Sequence, residues 1–300
     1  MMRQIFAAIA MIQTVGVAHA QPVDLSDAPA YPDLYQPELG DGRTPRDLVL
    51  LGADLVEIAV ALGAADRILA RPHAVDLEGI EDTPNLLRER AGVEGVVALR
   101  PGVVVGSSVI YETLLAGLDD LGIETLMIDR SLPAVEKVER MAELLKVEDR
   151  GERLIAAIEN DYATVEPVLA DGEPLRILHA SKQGAGGNFS AGGSGTAVHN
   201  LIERVGAQNA AAEIGMDRYR SVTPEGILTM APDVVIISQA ELDAFGDPQG
   251  LWDDYPGLAL TPAGQNQRLI VMRELHVRAD AASSGIAAAA LSAALQDMFK

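Results

Sequence analysis

The stretch 94–105 repeats in character at 225–236, and this repeat constrains the fold more than any other feature of the chain. Each copy reads as a short helix, a proline that stops it (Pro101, Pro232), and a β-branched run (Val103-Val104-Val105, Val234-Val235-Ile236). Helix ends echo as well: Leu62-Gly63-Ala64-Ala65-Asp66 corresponds to Val205-Gly206-Ala207-Gln208-Asn209. Around the first copy, strand-like runs at 48–51, 103–105 and 125–128 alternate with helical ones at 55–62, 93–99 and 112–121. Around the second, strands are expected at 175–179, 234–237 and 269–272, helices at 196–205 and 225–230, and a last helix at 281–299. Such alternation implies parallel sheets with crossover helices. The fold class expected is α/β, with two similar parallel-sheet lobes and a ligand cleft between them.

Residues 136–169 hold no proline before Pro167 and a single glycine, Gly151, while Leu154, Ile155, Ile158, Tyr162 and Val165 keep one helical face. One long helix is expected to join the lobes, a stiff connector that permits small lobe movements. The expected boundaries are a signal peptide at 1–20, an extended, mobile leader rich in Pro and Gly at 21–46, an N-terminal lobe at 47–133, a connecting helical segment at 134–172 and a C-terminal lobe at 173–300.

Met1-Met2-Arg3, the apolar run to Val17 and Ala18-His19-Ala20 have the pattern of a signal peptide cleaved before Gln21, which predicts a periplasmic location. The apolar run is shorter than the ~20 residues a spanning helix needs. The chain has no cysteine, which removes disulfides, thiolate metal sites, cysteine nucleophiles and a lipid-bearing N-terminal cysteine. A formal net charge of -21 argues against nucleic acid and anionic membrane surfaces as partners. Neither a G-x-S-x-G elbow nor an H-E-x-x-H pair is present, so the protein is not expected to be an enzyme, with an exported hydrolase as the disfavoured alternative. The glycines of 184–195 are followed by no G-K-[ST] and do not read as a phosphate loop.

Two lobes, a helical connector and the stretches Leu51-Gly52-Ala53-Asp54-Leu55-Val56-Glu57-Ile58, 94–101, Ala191-Gly192-Gly193-Ser194-Gly195-Thr196-Ala197 and 225–236 carry a resemblance. The chain resembles the helical-backbone class of substrate-binding proteins, which serve ABC importers of haem, cobalamin and iron–siderophores. The Gly-rich stretch and Leu258-Ala259-Leu260-Thr261-Pro262-Ala263-Gly264-Gln265-Asn266 are most similar to the hemin-binding subfamily. The resemblance implies a monomeric periplasmic protein that delivers haem to a membrane permease and its ATPase, with haem as cargo and no catalytic cofactor. The alternative within the class is an iron-siderophore or cobalamin binder. The resemblance also implies one acidic permease-docking residue per lobe, Glu57 and Glu225. Both fall in the first turn of an expected helix, where a carboxylate gains ~0.3–1 kcal/mol from the macrodipole in any case. Hemin binders of the class carry an iron-ligating tyrosine just before the helix at Glu94, closely followed by an arginine. Here Leu87 stands in place of the tyrosine, and Arg88 or Arg90 fills the arginine's role. A histidine found at the start of the second lobe's Gly-rich loop is also absent from Ser181-Lys182-Gln183-Gly184.

Ligands of open α/β sheets sit beyond the carboxyl ends of the strands. That rule maps the cleft to 52–54, 71–88, 106–111, 180–190, 238–246 and 273–278. Within it, His73, His276 and Tyr111 are the candidate iron ligands. Arg88, Arg90 and Lys182 are candidates for ligand carboxylates, with Ser107, Tyr111 and Gln183 as further contacts. His179, which ends a strand, and His199, within a helix, read as structural.

Overall fold

The computed structural model describes residues 21–35, 45–88, 91–183 and 188–300; the expected signal peptide, residues 36–44 of the leader and Arg90 lie outside the described residues. The leader opens with β1 (Val23–Leu25). The N-terminal lobe is built on β2 (Leu48–Leu51), β3 (Ile68–Pro72), β4 (Asn85–Leu87), β5 (Val103–Gly106) and β6 (Glu124–Met127), parallel throughout, in the spatial order β4-β3-β2-β5-β6. Helices α1 (Ala53–Ala61), α2 (Val93–Val97) and α3 (Glu112–Asp119) return the chain between strands. The central β2 and β5 are buried at every position because helices cover both faces, which is why they read as unbroken Leu/Val runs without alternation.

The connection is helical but divided. α4 (Ala134–Leu145) ends at Lys146, whose left-handed φ of 60° stops it, and α5 (Glu148–Tyr162) packs back against it. The single helix expected from 136 is therefore a pair, and α5 alone bridges the lobes, lying on the chain's last helix. Gly151 is what lets α5 approach α4: a Cβ there would stand 2.5 Å from that of Ala142.

A small hairpin, β7 (Leu169–Ala170) and β8 (Glu173–Pro174), leads to the C-terminal sheet. That sheet holds β9 (Arg176–Gln183), β10 (Asn188–Gly192), β11 (Gln208–Asn209), β12 (Tyr219–Ser221), β13 (Val234–Ser238) and β14 (Leu269–Met272). Its order is β1-β14-β13-β9-β10-β12, with β11 beside β9. Pairing is parallel from β1 through β9, while β9, β10 and β12 are antiparallel, so this lobe is mixed and not parallel throughout. The short connection after Gln183 closes a hairpin, which an antiparallel pair allows and a parallel pair does not. Helices α6 (Ala197–Arg204), α7 (Ala210–Glu213) and α8 (Pro224–Met230) precede β13. Four short helices follow it: α9 (Gln239–Phe245), α10 (Pro248–Asp254), α11 (Pro256–Ala259) and α12 (Pro262–Gln265). Then come α13 (Glu274–Arg278) after β14 and the terminal α14 (Ser284–Met298).

The repeat holds in detail. α2–β5 and α8–β13 are equivalent units, and the paired residues before their prolines, Arg100 and Ala231, both take positive φ (55° and 40°). The echoed helix ends are the same turn, with Gly63 and Gly206 at φ 74° and 73°. In each, the next residue reaches back five positions, Ala64 N–H to the Ala59 carbonyl and Ala207 N–H to that of Ile202.

Residues 21–35 of the leader form a strap across both lobes. β1 adds a parallel strand to β14, and Arg273 Nε donates to the Ala28 carbonyl at 3.0 Å. Ala30 and Tyr31 then pack on the N-terminal core, and Tyr35 accepts a 2.8 Å bond from Arg153 on α5.

Candidate functional site

A cavity of about 220 Å³, open to solvent, lies at the carboxyl ends of all five N-terminal strands. Its walls come from the segments following β2 (Gly52, Ala53), β3 (His73, Val75), β4 (Arg88), β5 (Ser107 to Tyr111) and β6 (Arg130). Gly52 is required at the floor because a Cβ there would stand 2.1 Å from Ser107 Oγ. That hydroxyl donates to the Leu51 carbonyl at 3.3 Å, and the Ser107 carbonyl accepts from Arg130 N–H at 2.8 Å. These bonds tie the ends of β2, β5 and β6 together and fix where the Arg130 side chain emerges.

The cavity brings together His73, Arg88, Ser107 and Tyr111, four residues of the expected set, and Leu87 lines it at the position where the resemblance expects tyrosine. His73 is exposed at the rim, with no side-chain hydrogen bond among the described residues. Ile110, 67 % exposed, adds an apolar side chain to the wall beside Leu87. Arg130 is the functional residue that sequence reasoning missed. The carboxyl-end rule, applied to the strand at 125–128 as it was to the others, points to it.

Across from Arg130 stands the C-terminal lobe. Asp129 is held below the usual carboxylate range, first by the hydroxyl and amide of Ser131 and further by Arg218 of the opposite lobe. Tyr219 is half-buried with its hydroxyl sealed, and desolvation raises its phenol above the ordinary value while Arg278 and Arg130 oppose the rise. The Arg278 guanidinium stacks over the Tyr219 ring at 4.7 Å and donates to Glu241 Oε1 at 2.6 Å and Ser181 Oγ at 3.0 Å. Glu241 also meets His179 Nε2 at 3.2 Å, which gives His179 the structural role expected of it. Arg88 and Arg130 line the cavity, while on the other lobe Arg278 is paired with Glu241 and Glu274 and Arg218 lies beside Asp217.

Three expected residues do not meet at the cavity. His276 is buried, and its Nε2 donates to the Pro29 carbonyl of the strap at 3.0 Å; burial pushes the imidazole down to about 4. It is a strap anchor, and its Nδ1 is buried without a hydrogen-bond partner. Lys182 turns to Asp254 (3.0 Å) and the Phe245 ring (4.8 Å), on the helices that follow β13. Glu57 is 0 % exposed, so it cannot present a carboxylate to a permease. Of Gln183 only the backbone, at the end of β9, is described. Glu225 is exposed in the first turn of α8. Among the described residues no group of three or more His, Cys, Asp or Glu converges to hold a metal ion, and no helix is long and apolar enough to cross a membrane.

Two α/β lobes bridged by a helix, with a cavity at the strand ends of the N-terminal one, define a solute-binding protein. Residues 48–275 match the family described as periplasmic binding protein, and the chain belongs to that family. Among solved structures it is similar to the periplasmic heme-binding protein RhuT from Roseiflexus sp. RS-1 in apo form, at 26% identity and a TM-score of 0.71, over 86% of this chain and 100% of that one. It is equally similar to the periplasmic heme-binding protein BhuT in complex with two hemes, at 26% identity and a TM-score of 0.73, with the same coverage. The periplasmic heme-binding protein HutB of Vibrio cholerae shares the fold at 22% identity and a TM-score of 0.70, over 83% of this chain and 98% of that one. A comparison with curated proteins returned no match.

Proposed function

We propose that this protein, exported by its N-terminal signal peptide, binds haem in the periplasm as a monomer and delivers it to the permease and ATPase of an ABC importer. The observation that carries the reading is a partly apolar cavity lined by two arginines, Arg88 and Arg130, in a strongly acidic protein. A flat apolar ligand with carboxylates fits such a site: Val75, Leu87 and Ile110 meet its face, and Arg88 and Arg130 pair with its carboxylates. The heme-binding neighbours at 26% identity support the assignment. Leu87 cannot ligate iron, so His73 takes that role first and Tyr111 second. The same leucine favours the second reading, an iron-siderophore or cobalamin, whose metal is already coordinated.

Hemin titrated into the purified protein should give a saturable Soret shift, and His73→Ala should alter the bound spectrum. Arg130→Ala should weaken binding by roughly 1.5–3 kcal/mol, the worth of a hydrogen bond to a charged group. A spectrum indifferent to the protein would exclude haem and leave the second reading.

For the permease, the repeat supplies a replacement for the buried Glu57. Glu225 corresponds in the repeat to Glu94, which is exposed in the first turn of α2 as Glu225 is in α8. The docking pair is therefore Glu94 and Glu225, one acid per lobe at equivalent places.

A further inference from the structure

Beneath the cavity floor lies a buried charged cluster that ligand binding leaves unused. Asp54 and Glu57 stand three residues apart, on one face of α1, and Lys137 reaches toward them from α4. Asp54 is 2 % exposed, and Glu57 and Lys137 are 0 % exposed. Lys137 Nζ donates to the Ala279 carbonyl at 2.9 Å and the Arg130 carbonyl at 3.3 Å, and lies 3.6 Å from Asp54 Oδ2. Glu57 Oε1 accepts from the Ser283 amide at 2.5 Å. Ala279 and Ser283 belong to the segment that leaves the C-terminal sheet after β14 and inserts Leu275, Ala279, Ala281 and Ala282 into the N-terminal core. The cluster is thus a contact between lobes.

Its charges do not balance without a proton, because two carboxyl groups share one ammonium. Glu57 Oε2 and both Asp54 oxygens are buried without a hydrogen bond. Among the described residues the elements around them supply no further cation. β2 is wholly apolar, Arg71 on β3 turns to Thr83 and Ile80, Arg67 pairs with Asp47, and Arg150 holds the Leu62 carbonyl. On the inserted segment, His276 is held by Pro29, Arg278 by Glu241 and Glu274, and Asp280 by Asn200 and Arg204. A second unpaired carboxylate in such a site costs more than protonating it.

We infer that Glu57 holds a proton in the folded protein and thereby latches the inserted segment of the C-terminal lobe to α1, by keeping a second unpaired charge out of the seam, so that the grip between the lobes loosens when the proton leaves even though the Ser283 bond to the carboxylate strengthens. Lys137 also holds the carbonyl of Arg130, so the latch and the cavity wall share a support. Desolvation raises Glu57 to about 8, with Asp54 adding to the rise and the Ser283 bonds and Lys137 opposing it. The folded-state value lies above the ordinary 4.5, so the contribution is full below about 4.5 and falls as pH rises. It is gone above about 8.

The test uses the full chain without ligand and does not depend on what the cavity binds. Glu57→Gln mimics the protonated acid. Relative to this variant, the wild-type folding equilibrium in urea should fall about tenfold per pH unit from about pH 5 and level off near pH 8. Amide exchange over 279–284, corrected for intrinsic base catalysis, should accelerate in the wild type between about pH 7 and 9 and not in Glu57→Gln, with β5 unchanged in both. Asp54→Asn removes the neighbouring charge and should move the wild-type transition to lower pH. Parallel pH profiles for wild type and Glu57→Gln, or an equal rise of exchange in β5, would overturn the latch. If Glu57→Gln fails to fold, an unmoved transition in Asp54→Asn overturns it instead.

Discussion

Replacing Glu241 with Gln removes the anion that ties together three elements of the C-terminal lobe at their cleft end. Its Oε1 accepts from Arg278 at 2.6 Å, and its Oε2 meets His179 at 3.2 Å and accepts from the Ser238 amide at 3.0 Å. Burial alone would raise the carboxyl, but the charge and hydrogen bond of His179, then Arg278, outweigh it and hold the group at about 2. A drop from 4.5 to about 2, at ~1.36 kcal/mol per unit, is worth roughly 3 kcal/mol. Breaking a buried ion pair costs roughly 3–5 kcal/mol, and the low end applies here because Arg278 keeps Glu274 at 3.1 Å. Glutamine preserves the volume and the cap at Ser238, so the loss reports charge. Because the folded-state value is depressed, the stabilisation is present above about 4.5 and disappears as pH falls toward 2. Urea unfolding at neutral pH should therefore separate wild type from Glu241→Gln by roughly 3 kcal/mol, and the gap should close in acid. A gap under ~1 kcal/mol at neutral pH, or one that persists unchanged in acid, would refute the reasoning.

His276, held near 4 by burial, should make the strap acid-sensitive. Its folded value lies below the ordinary 6.5, so stability is lost as pH falls from about 6.5 to about 4, and His276→Gln should abolish that loss, read by proteolysis or amide exchange over 23–30. Gly151→Ala adds a methyl 2.5 Å from Ala142 Cβ. Its helix-propensity gain of ~1 kcal/mol should be outweighed by overpacking, lowering stability by roughly 1–3 kcal/mol in thermal melts; a raised midpoint would contradict the close α4–α5 contact. Glu94→Ala/Glu225→Ala should bind ligand normally yet fail to stimulate the importer's ATPase in reconstituted membranes, a loss of ~2 kcal/mol or more if the pairs are desolvated.

Local order was legible in the sequence wherever a few adjacent residues settle it. The all-buried runs of β2, β5 and β13, the glycine turns at Gly63 and Gly206 and the α2–β5/α8–β13 repeat follow from period, propensity and positive φ, all properties of short segments. Much of the cavity wall followed too, because strand ends determine it: His73, Arg88, Ser107 and Tyr111 emerge at the carboxyl ends of parallel strands. What the tertiary structure decided is which side of a local element faces another lobe. Acids near the starts of two expected helices read alike in sequence, yet Glu57 falls in the second turn of α1, which the inserted segment 275–283 covers, while Glu225 stays in the uncovered first turn of α8, so Glu57 is sealed and Glu225 is open. His276 and Lys182 sit after strands as cleft residues should, but the strap claims the first and Asp254 with Phe245 the second. Burial and pairing of this kind depend on partners far away in the chain, with Glu57 and Ser283 separated by 226 positions, and no local pattern encodes them.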